Sequence, residues 1–236
     1  MMPQEIFSYL PLIAVLVPLA AFILITCAPN LQWWRNTCSL LGTLGTVIAV
    51  GMLYPLLATG KVVVFKIPMI VTPLDLTFRV DFLSFFIAII ASFIWLLATV
   101  FAVDYMNHEH NRGRFFAFFM LTLAGTVGVP LAGDLLSLLL FFELMSLASY
   151  VLVIHTQTDE AYSAGNIYLY LGVFGGMCLL TGIGLIYFSC GSVDITQQLC
   201  MIDGVNNYLL VAGLLMIIGF GIKAGMVPLH IWLPKA

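Results

Sequence analysis

The sequence predicts an all-α integral membrane protein, and its composition and its long apolar stretches carry that prediction. Of the 236 residues, 62% are hydrophobic and 8% are charged, whereas a soluble domain is about 45–50% apolar and about 25% charged. Eight basic and eleven acidic side chains are too few to form the polar shell of a soluble domain of this length. The lipid bilayer is therefore the expected solvent for most of the chain.

Seven apolar stretches are long enough to cross a hydrocarbon core of about 30 Å, which takes about 20 helical residues. They are continuous rather than alternating, and backbone groups in lipid must pair within the segment, so helices are expected rather than strands. The predicted spans are residues 6–27, 38–58, 82–103, 115–132, 134–154, 164–189 and 208–227.

Two further segments lie outside the seven predicted spans. Residues 61–80 are rich in β-branched side chains and contain Pro68 and Pro73, which predicts a short hairpin outside the membrane between the second and third helices. Residues 228–236 resemble the start of an eighth helix. The acidic N-terminus, followed by a long apolar run, is typical of a first membrane span rather than of a signal peptide.

Charge and cysteine content exclude several classes of function. The net charge of -3 comes with no basic stripe, so nucleic acid is not an expected partner. The five cysteines include no C-x-x-C pair, so neither a metal site nor a disulfide is expected. Positive charges divide evenly between the loops on the two sides, so the orientation in the membrane does not follow from them.

Apart from Asp134, which starts the fifth span, only two charged residues fall within the predicted spans, Glu143 and Lys223. A charge at the bilayer centre costs a few kcal/mol, so such a residue needs a reason to be there. Glu143 lies nine positions after Asp134, which is about 13–14 Å along a helix. Ser146 and Tyr150 follow on the same face and give the acid a polar stripe, and the Asp134 carboxylate suits the start of the helix.

Lys223 lies in a segment rich in helix-breaking residues. Gly219, Gly221, Gly225 and Pro228 surround it, which predicts that the seventh helix is discontinuous just beyond the lysine. Broken helices near the membrane midplane commonly form ion or substrate sites. His230, next to the break, is a candidate proton relay or a plain polar residue at its mouth.

We interpret Glu143 and Lys223 as a coupled pair whose separation sets the proton affinity of the lysine amine. With the carboxylate close, the amine keeps its proton; with the carboxylate withdrawn, it releases the proton along a hydrated path. The alternative is a static buried ion pair that fixes helix packing. His155, which is followed by Asp159 and Glu160, is expected to lie in a solvated loop.

Three segments resemble the antiporter-like subunits of respiratory complex I, Mrp-type antiporters and membrane-bound nickel–iron hydrogenases. They are V-D-F-L-S-F-F (80–86), the stretch with F-F-E-L-M (133–153), and the stretch with K-A-G-M-V-P-L-H-I-W-L-P (219–236). The resemblance covers residues 76–236. It implies that the fifth-helix Glu143 and the seventh-helix Lys223 translocate H⁺ or Na⁺, with no cofactor and no catalytic chemistry in this chain.

The resemblance also implies an incomplete unit. Members of the family are about twice as long and contain two inverted repeats of five helices. We therefore expect one membrane domain over 1–236, in which 1–80 holds two helices and the hairpin and 81–236 is an incomplete first antiporter-like repeat. The expected partners are lipid and other membrane subunits, including one that supplies the missing C-terminal half. The expected location is the cell inner (plasma) membrane.

The sequence is also compatible with other functions. A structural spacer subunit would not need the two charges, and a small-molecule secondary transporter would need a roomier polar midplane than one acid and one base provide. A retinal-binding proton pump would need a carboxylate inside the third span, where the sequence has none.

Overall fold

Long helices dominate the computed structural model, which describes residues 4–68, 75–195 and 207–234. Seven of the helices in this part of the chain are long and apolar enough to cross a membrane, as the sequence predicted. In chain order the helices are α1 Leu10–Cys27, α2 Gln32–Gly51, the short α3 Tyr54–Leu57, α4 Phe82–Tyr105, α5 Arg112–Leu131, α6 Leu135–Val153, α7 Asp159–Cys190 and α8 Asn207–Ala224. Short 3₁₀ helices occupy Met106–His108 and Leu229–Trp232.

A small three-stranded sheet lies at one end of the helices. The strands are β1 Glu5–Phe7, β2 Val62–Ile67 and β3 Leu76–Val80, with β2 in the middle. The antiparallel pairing of β2 with β3 confirms the predicted hairpin, although residues 69–74 lie outside the described part of the chain. β1 pairs with β2 in parallel.

Several helix boundaries differ from the predicted spans. The first helix begins at Leu10 rather than at residue 6, because Glu5–Phe7 are paired in the sheet. The second helix begins at Gln32 rather than at residue 38. The sixth span begins at Asp159 rather than at residue 164, since the Thr158 side chain accepts a hydrogen bond from the backbone N–H of Ala161 and caps the helix.

α5 is the central helix among α1, α2, α4 and α6. It packs against α1, α2, α4 and α6, and the main apolar core lies where these helices meet the sheet. Gly125 of α5 faces the backbone of Met145 on α6 so closely that a Cβ on Gly125 would lie 2.7 Å from the Met145 nitrogen. This close approach fixes the position of the helix that carries Glu143.

α7 lies between α6 and α8 and packs against both. Ring centroids of Phe142 on α6 and Phe220 on α8 are 5.6 Å apart, and these helices share an apolar cluster with the C-terminal half of α7. The three helices together form the surroundings of Glu143 and Lys223.

α8 ends where the sequence predicted a break. Its last residue is Ala224, and Gly225 follows with a φ of 70°, a left-handed conformation that glycine adopts without strain. The backbone N–H of Met226 donates to the carbonyl of Gly221 at 2.8 Å and closes the helix end. The chain then continues into the 3₁₀ helix Leu229–Trp232, so the predicted discontinuity is confirmed.

Candidate functional site

Glu143 and Lys223 line the same small cavity between α6, α7 and α8. The cavity has a volume of about 10 Å³, which is close to the space that one water molecule needs. Glu143 lies in the middle of α6, and Lys223 lies in the last turn of α8. No nitrogen–oxygen distance of 4.0 Å or less joins these two described side chains. They are therefore neighbours across a gap rather than a direct ion pair.

Two glycines of α7 lie beside the charged groups, and one of them makes room for the Glu143 carboxylate. A Cβ on Gly176 would lie 2.2 Å from Oε1 of Glu143, and a Cβ on Gly172 would lie 3.6 Å from Nζ of Lys223. The two glycines are four positions apart, so they face the same way along the helix. From the sequence alone, this pair of glycines indicated only close packing of helices. Their proximity to the two charged groups is visible only in the folded structure.

The Lys223 ammonium has a partner that sequence reasoning missed. Lys223 Nζ donates to the hydroxyl of Tyr168 at 2.8 Å and lies 4.1 Å from the centroid of the same ring. Tyr168 is 7% exposed, and its hydroxyl is 2.5 Å from Oγ of Ser149. Tyr168 lies four residues before Gly172 and therefore on the same face of α7. A helical projection of α7 would have shown this shared face from the sequence.

Glu143 has a free hydrogen-bonding position. Its Oε1 atom is buried and has no hydrogen-bond partner among the described residues. Buried polar atoms are normally paired with protein or with an ordered water. The cavity beside the carboxylate gives a water molecule or the Lys223 amine access to Oε1 of Glu143.

The other predicted site residues are distributed around this centre. Ser146 lines the cavity, and its hydroxyl donates to the carbonyl of Phe142 at 2.8 Å. Tyr150 does not line it; its ring packs against α7, where a Cβ on Gly165 would lie 3.1 Å from Cε2. His230 is exposed on the 3₁₀ helix beyond the break.

Asp134 lies at the first turn of α6, away from the cavity. It is 6% exposed, and its carboxylate accepts from the backbone N–H of Ser137 at 2.7 Å and from the Ser137 hydroxyl at 2.8 Å. Asp134 is thus the N-cap of the helix that carries Glu143. The predicted placement at the start of the helix is confirmed.

His155 differs from its prediction. It was expected in a solvated loop, but it is 9% exposed and its ring lies 5.4 Å, centroid to centroid, from that of Phe115. Burial, and secondarily the positive charge of Arg114, lower the pKa of His155 from its ordinary value. The prediction was wrong because α5 packs over the loop that follows α6, which a local sequence reading does not reveal.

Seven apolar helices with an acid and an amine in their interior define a helical membrane protein that spans the bilayer several times. Residues 132–236 match a family described as NADH:quinone oxidoreductase/Mrp antiporter, TM. Residues 69–116 match one described as NADH-ubiquinone oxidoreductase (complex I), chain 5 N-terminus.

Individual relatives agree with the family matches. The chain is 31% identical over 198 residues to a protein named as antiporter subunit mnhA2 of Staphylococcus saprophyticus, covering 80% of this chain and 25% of that protein. It is 34% identical over 166 residues to one named as antiporter subunit mnhD2 of Staphylococcus haemolyticus, covering 70% of this chain and 33% of that protein. The chain therefore spans a quarter to a third of the length of these relatives.

Solved structures share the fold. A chain of the Mrp complex from Dietzia sp. superposes with a TM-score of 0.82 at 26% identity, covering 97% of this chain and 43% of that one. A chain of an archaeal membrane-bound sulfane sulfur reductase gives 0.84 at 21% identity, covering 97% and 47%. A chain of complex I from Thermus thermophilus gives 0.71 at 20% identity, covering 94% and 46%. The resemblance to antiporter-like membrane subunits is therefore confirmed, over the part of those proteins that this chain spans.

Proposed function

We propose that this chain is part of a membrane subunit that translocates H⁺ or Na⁺ in a complex I-like, Mrp-type or membrane-bound hydrogenase complex. The observation that carries the proposal is that Glu143 and Lys223 both line one water-sized cavity between the apolar helices. The relatives named as antiporter subunits support the same function. The proposed location is the cell inner (plasma) membrane, in which the chain is a multi-pass protein.

The geometry suits a change between two states of the pair. A permanent structural ion pair would close the gap between its charges, because separated charges in a region of low dielectric are costly. Here the acid and the amine remain apart, and Oε1 of Glu143 is unpaired among the described residues. In the proposed mechanism, approach of the carboxylate and the amine retains the proton on Lys223, and their separation releases it.

The proposed path extends beyond the pair. Ser146 lines the cavity beside Glu143, so its hydroxyl is a candidate contact for a water in transit. Tyr150 continues the same face of α6 toward the membrane surface. His230 follows the break and is proposed as the relay from Lys223, while Asp134 holds the start of α6.

We further propose that the chain works with other membrane subunits, one of which supplies the C-terminal half of the ion path. Several large apolar side chains of α4 are more than half exposed, among them Phe93, Leu97 and Phe101. Such a surface requires lipid or an apolar protein neighbour. The archaeal sulfane sulfur reductase that shares the fold is a respiratory membrane complex, which agrees with this arrangement.

The proposal is tested in the assembled complex, reconstituted in vesicles, by recording ion flux with a pH-sensitive dye or a sodium indicator. Glu143→Gln and Lys223→Ala should each lower coupled transport at least about 10-fold while the complex still assembles, because each removes one of the two charges on which the mechanism depends. Glu160→Gln and Lys66→Ala are matched controls, because both side chains are exposed, and they should transport normally.

Unchanged transport in both Glu143→Gln and Lys223→Ala would refute the proposal and favour the structural spacer. Uptake of a labelled small solute would favour the secondary transporter. A cavity of about 10 Å³ offers no room for such a solute, since ligand pockets are typically about 300–1,000 Å³.

A further inference from the structure

The Lys223 ammonium is held by a tyrosine rather than by the acid that lines the same cavity. Its Nζ atom is 2.8 Å from the Tyr168 hydroxyl and 4.1 Å from the ring centroid. The aromatic face and the hydroxyl oxygen carry no formal charge, so they stabilise a cation at this position less than a carboxylate would. Glu143 makes no ion pair with it.

A chain of hydrogen bonds continues from the Tyr168 hydroxyl to Ser149 on α6, and the donor and acceptor of each bond can be assigned. Ser149 Oγ donates to the carbonyl of Ser146 at 3.0 Å and lies 2.5 Å from the Tyr168 hydroxyl. A serine hydroxyl has one hydrogen to donate. Ser149 therefore accepts from Tyr168, and the lone pairs of the tyrosine oxygen remain available to the lysine.

The Tyr168 ring is fixed by the segment that follows the helix break. The ring of Trp232 meets it edge to face, with centroids 5.2 Å apart. The Trp232 indole Nε1 donates to the carbonyl of Ile222 at 2.6 Å, one residue before the lysine. The segment after the break thus positions Trp232 against the ring of Tyr168, the residue that binds the ammonium.

The cavity offers the ammonium a second position. It contains no titratable side chain other than Glu143, Tyr168 and Lys223 among its lining residues. The acid contributes an unpaired, buried Oε1 among the described residues, and Gly172, which has no side chain, lies beside Nζ. A lysine side chain has enough rotatable bonds to exchange the tyrosine oxygen for the carboxylate.

We propose that Tyr168 is a positioning residue that gives Lys223 an alternative partner to Glu143 and thereby holds the pair in its separated state. This inference rests on the proposed ion-translocating function. Removal of the hydroxyl leaves the Glu143 carboxylate as the charged partner in the cavity, so the ammonium moves to Glu143 and stays there. The separated state is then less populated, and release of the proton is slower.

The test is Tyr168→Phe in the assembled complex, with the pH dependence of ion transport as the readout. Phenylalanine keeps the ring, the cation–π contact and the contact with Trp232. Transport should fall about 5-fold, the factor that corresponds to loss of one hydrogen bond of about 1 kcal/mol, and the alkaline limb of its pH profile should move to higher pH. Tyr170→Phe is the matched control on the same helix, because Tyr170 is 73% exposed, and it should leave both unchanged.

Ser149→Ala removes the acceptor of the Tyr168 hydroxyl hydrogen and should shift the profile in the same direction by a smaller amount. A wild-type rate and profile in Tyr168→Phe would overturn the inference, and so would a lower rate with an unshifted profile. Glu143→Gln and Lys223→Ala, measured in parallel, separate the two proposals. If they transport normally, the proposed function fails; if they are inactive while Tyr168→Phe behaves as wild type, only the positioning role fails.

Discussion

His155 is a buried titratable side chain without hydrogen-bonded ring nitrogens in the described part of the chain. Burial and the charge of Arg114 lower its pKa, while the backbone of His110 and the charge of Glu109 act in the opposite direction with less effect. The unfolded chain has a histidine pKa of about 6.5. Folding thus favours the neutral ring, so its contribution to stability is complete above about pH 6.5 and is lost as the pH falls below that value.

We expect acidification from about pH 7.5 to about pH 5.5, across the ordinary histidine pKa, to lower the thermal unfolding temperature of the detergent-solubilised protein. His155→Phe, which keeps a ring against Phe115 but cannot bind a proton, should reduce this dependence on pH. His230→Phe is the control, because His230 is exposed. An equal pH dependence in the wild type and in His155→Phe would contradict the expectation.

At the level of single residues, the sequence predicted the site in part. Glu143 and Lys223 were identified because a charge inside a long apolar run is rare and costly. Tyr168 was missed because tyrosine is common in membrane helices, and nine occur in this chain. Its proposed role depends on a contact between residues 55 positions apart, which no local pattern contains.

At the level of helices, the small residues of α7 determine how closely the charged groups can approach it. Gly176 faces the Glu143 carboxylate, and Gly172 faces the Lys223 ammonium. Gly184, on the same helix, has no atom within 4 Å of the position that a Cβ would take. The three glycines therefore provide a matched set of substitutions.

We expect Gly176→Ala to lower ion transport, because the new methyl group would overlap Oε1 of Glu143 and force the carboxylate out of its position. Gly184→Ala should transport normally. Both variants are measured in the reconstituted complex, with assembly checked by size-exclusion chromatography. Normal transport in Gly176→Ala would show that the carboxylate can move without loss of function.

The number and type of long helices followed from the sequence, whereas some of their ends did not. Long apolar runs require helices in lipid wherever they occur, so the seven spans needed no tertiary information. The start of α1 depended on the pairing of Glu5–Phe7 with the distant strand β2. Gly225, by contrast, ends α8 through its own backbone freedom, and the sequence predicted that break.

At the scale of the whole molecule, the sheet is attached to the start of α6. The backbone N–H of Gly133 donates to the carbonyl of Thr77 at 2.7 Å, and the backbone N–H of Thr77 donates to the Ser137 hydroxyl at 2.8 Å. Ser137 in turn donates to Asp134. Strand β3 and the first turn of α6 thus form one hydrogen-bonded unit.

We expect Asp134→Ala to destabilise the protein by about 1–2 kcal/mol, because it removes a helix cap and leaves the buried Ser137 hydroxyl without its acceptor. Glu5→Gln, which breaks the partly exposed ion pair of Glu5 with Arg79 (2.6 Å), should cost less than about 1 kcal/mol. Thermal unfolding in detergent measures both changes. An Asp134→Ala variant as stable as Glu5→Gln would contradict the importance of the cap.

The attachment of α6 to the sheet has a consequence for which charged group moves. Rotation or sliding of α6 would break the hydrogen bonds that join Gly133, Thr77 and Ser137, and it would disturb the tight contact of Gly125 with Met145. Lys223 instead sits one residue before the end of its helix, on a flexible side chain. In the proposed mechanism Glu143 is therefore the stationary member of the pair, and we expect movement of the lysine side chain to change their separation.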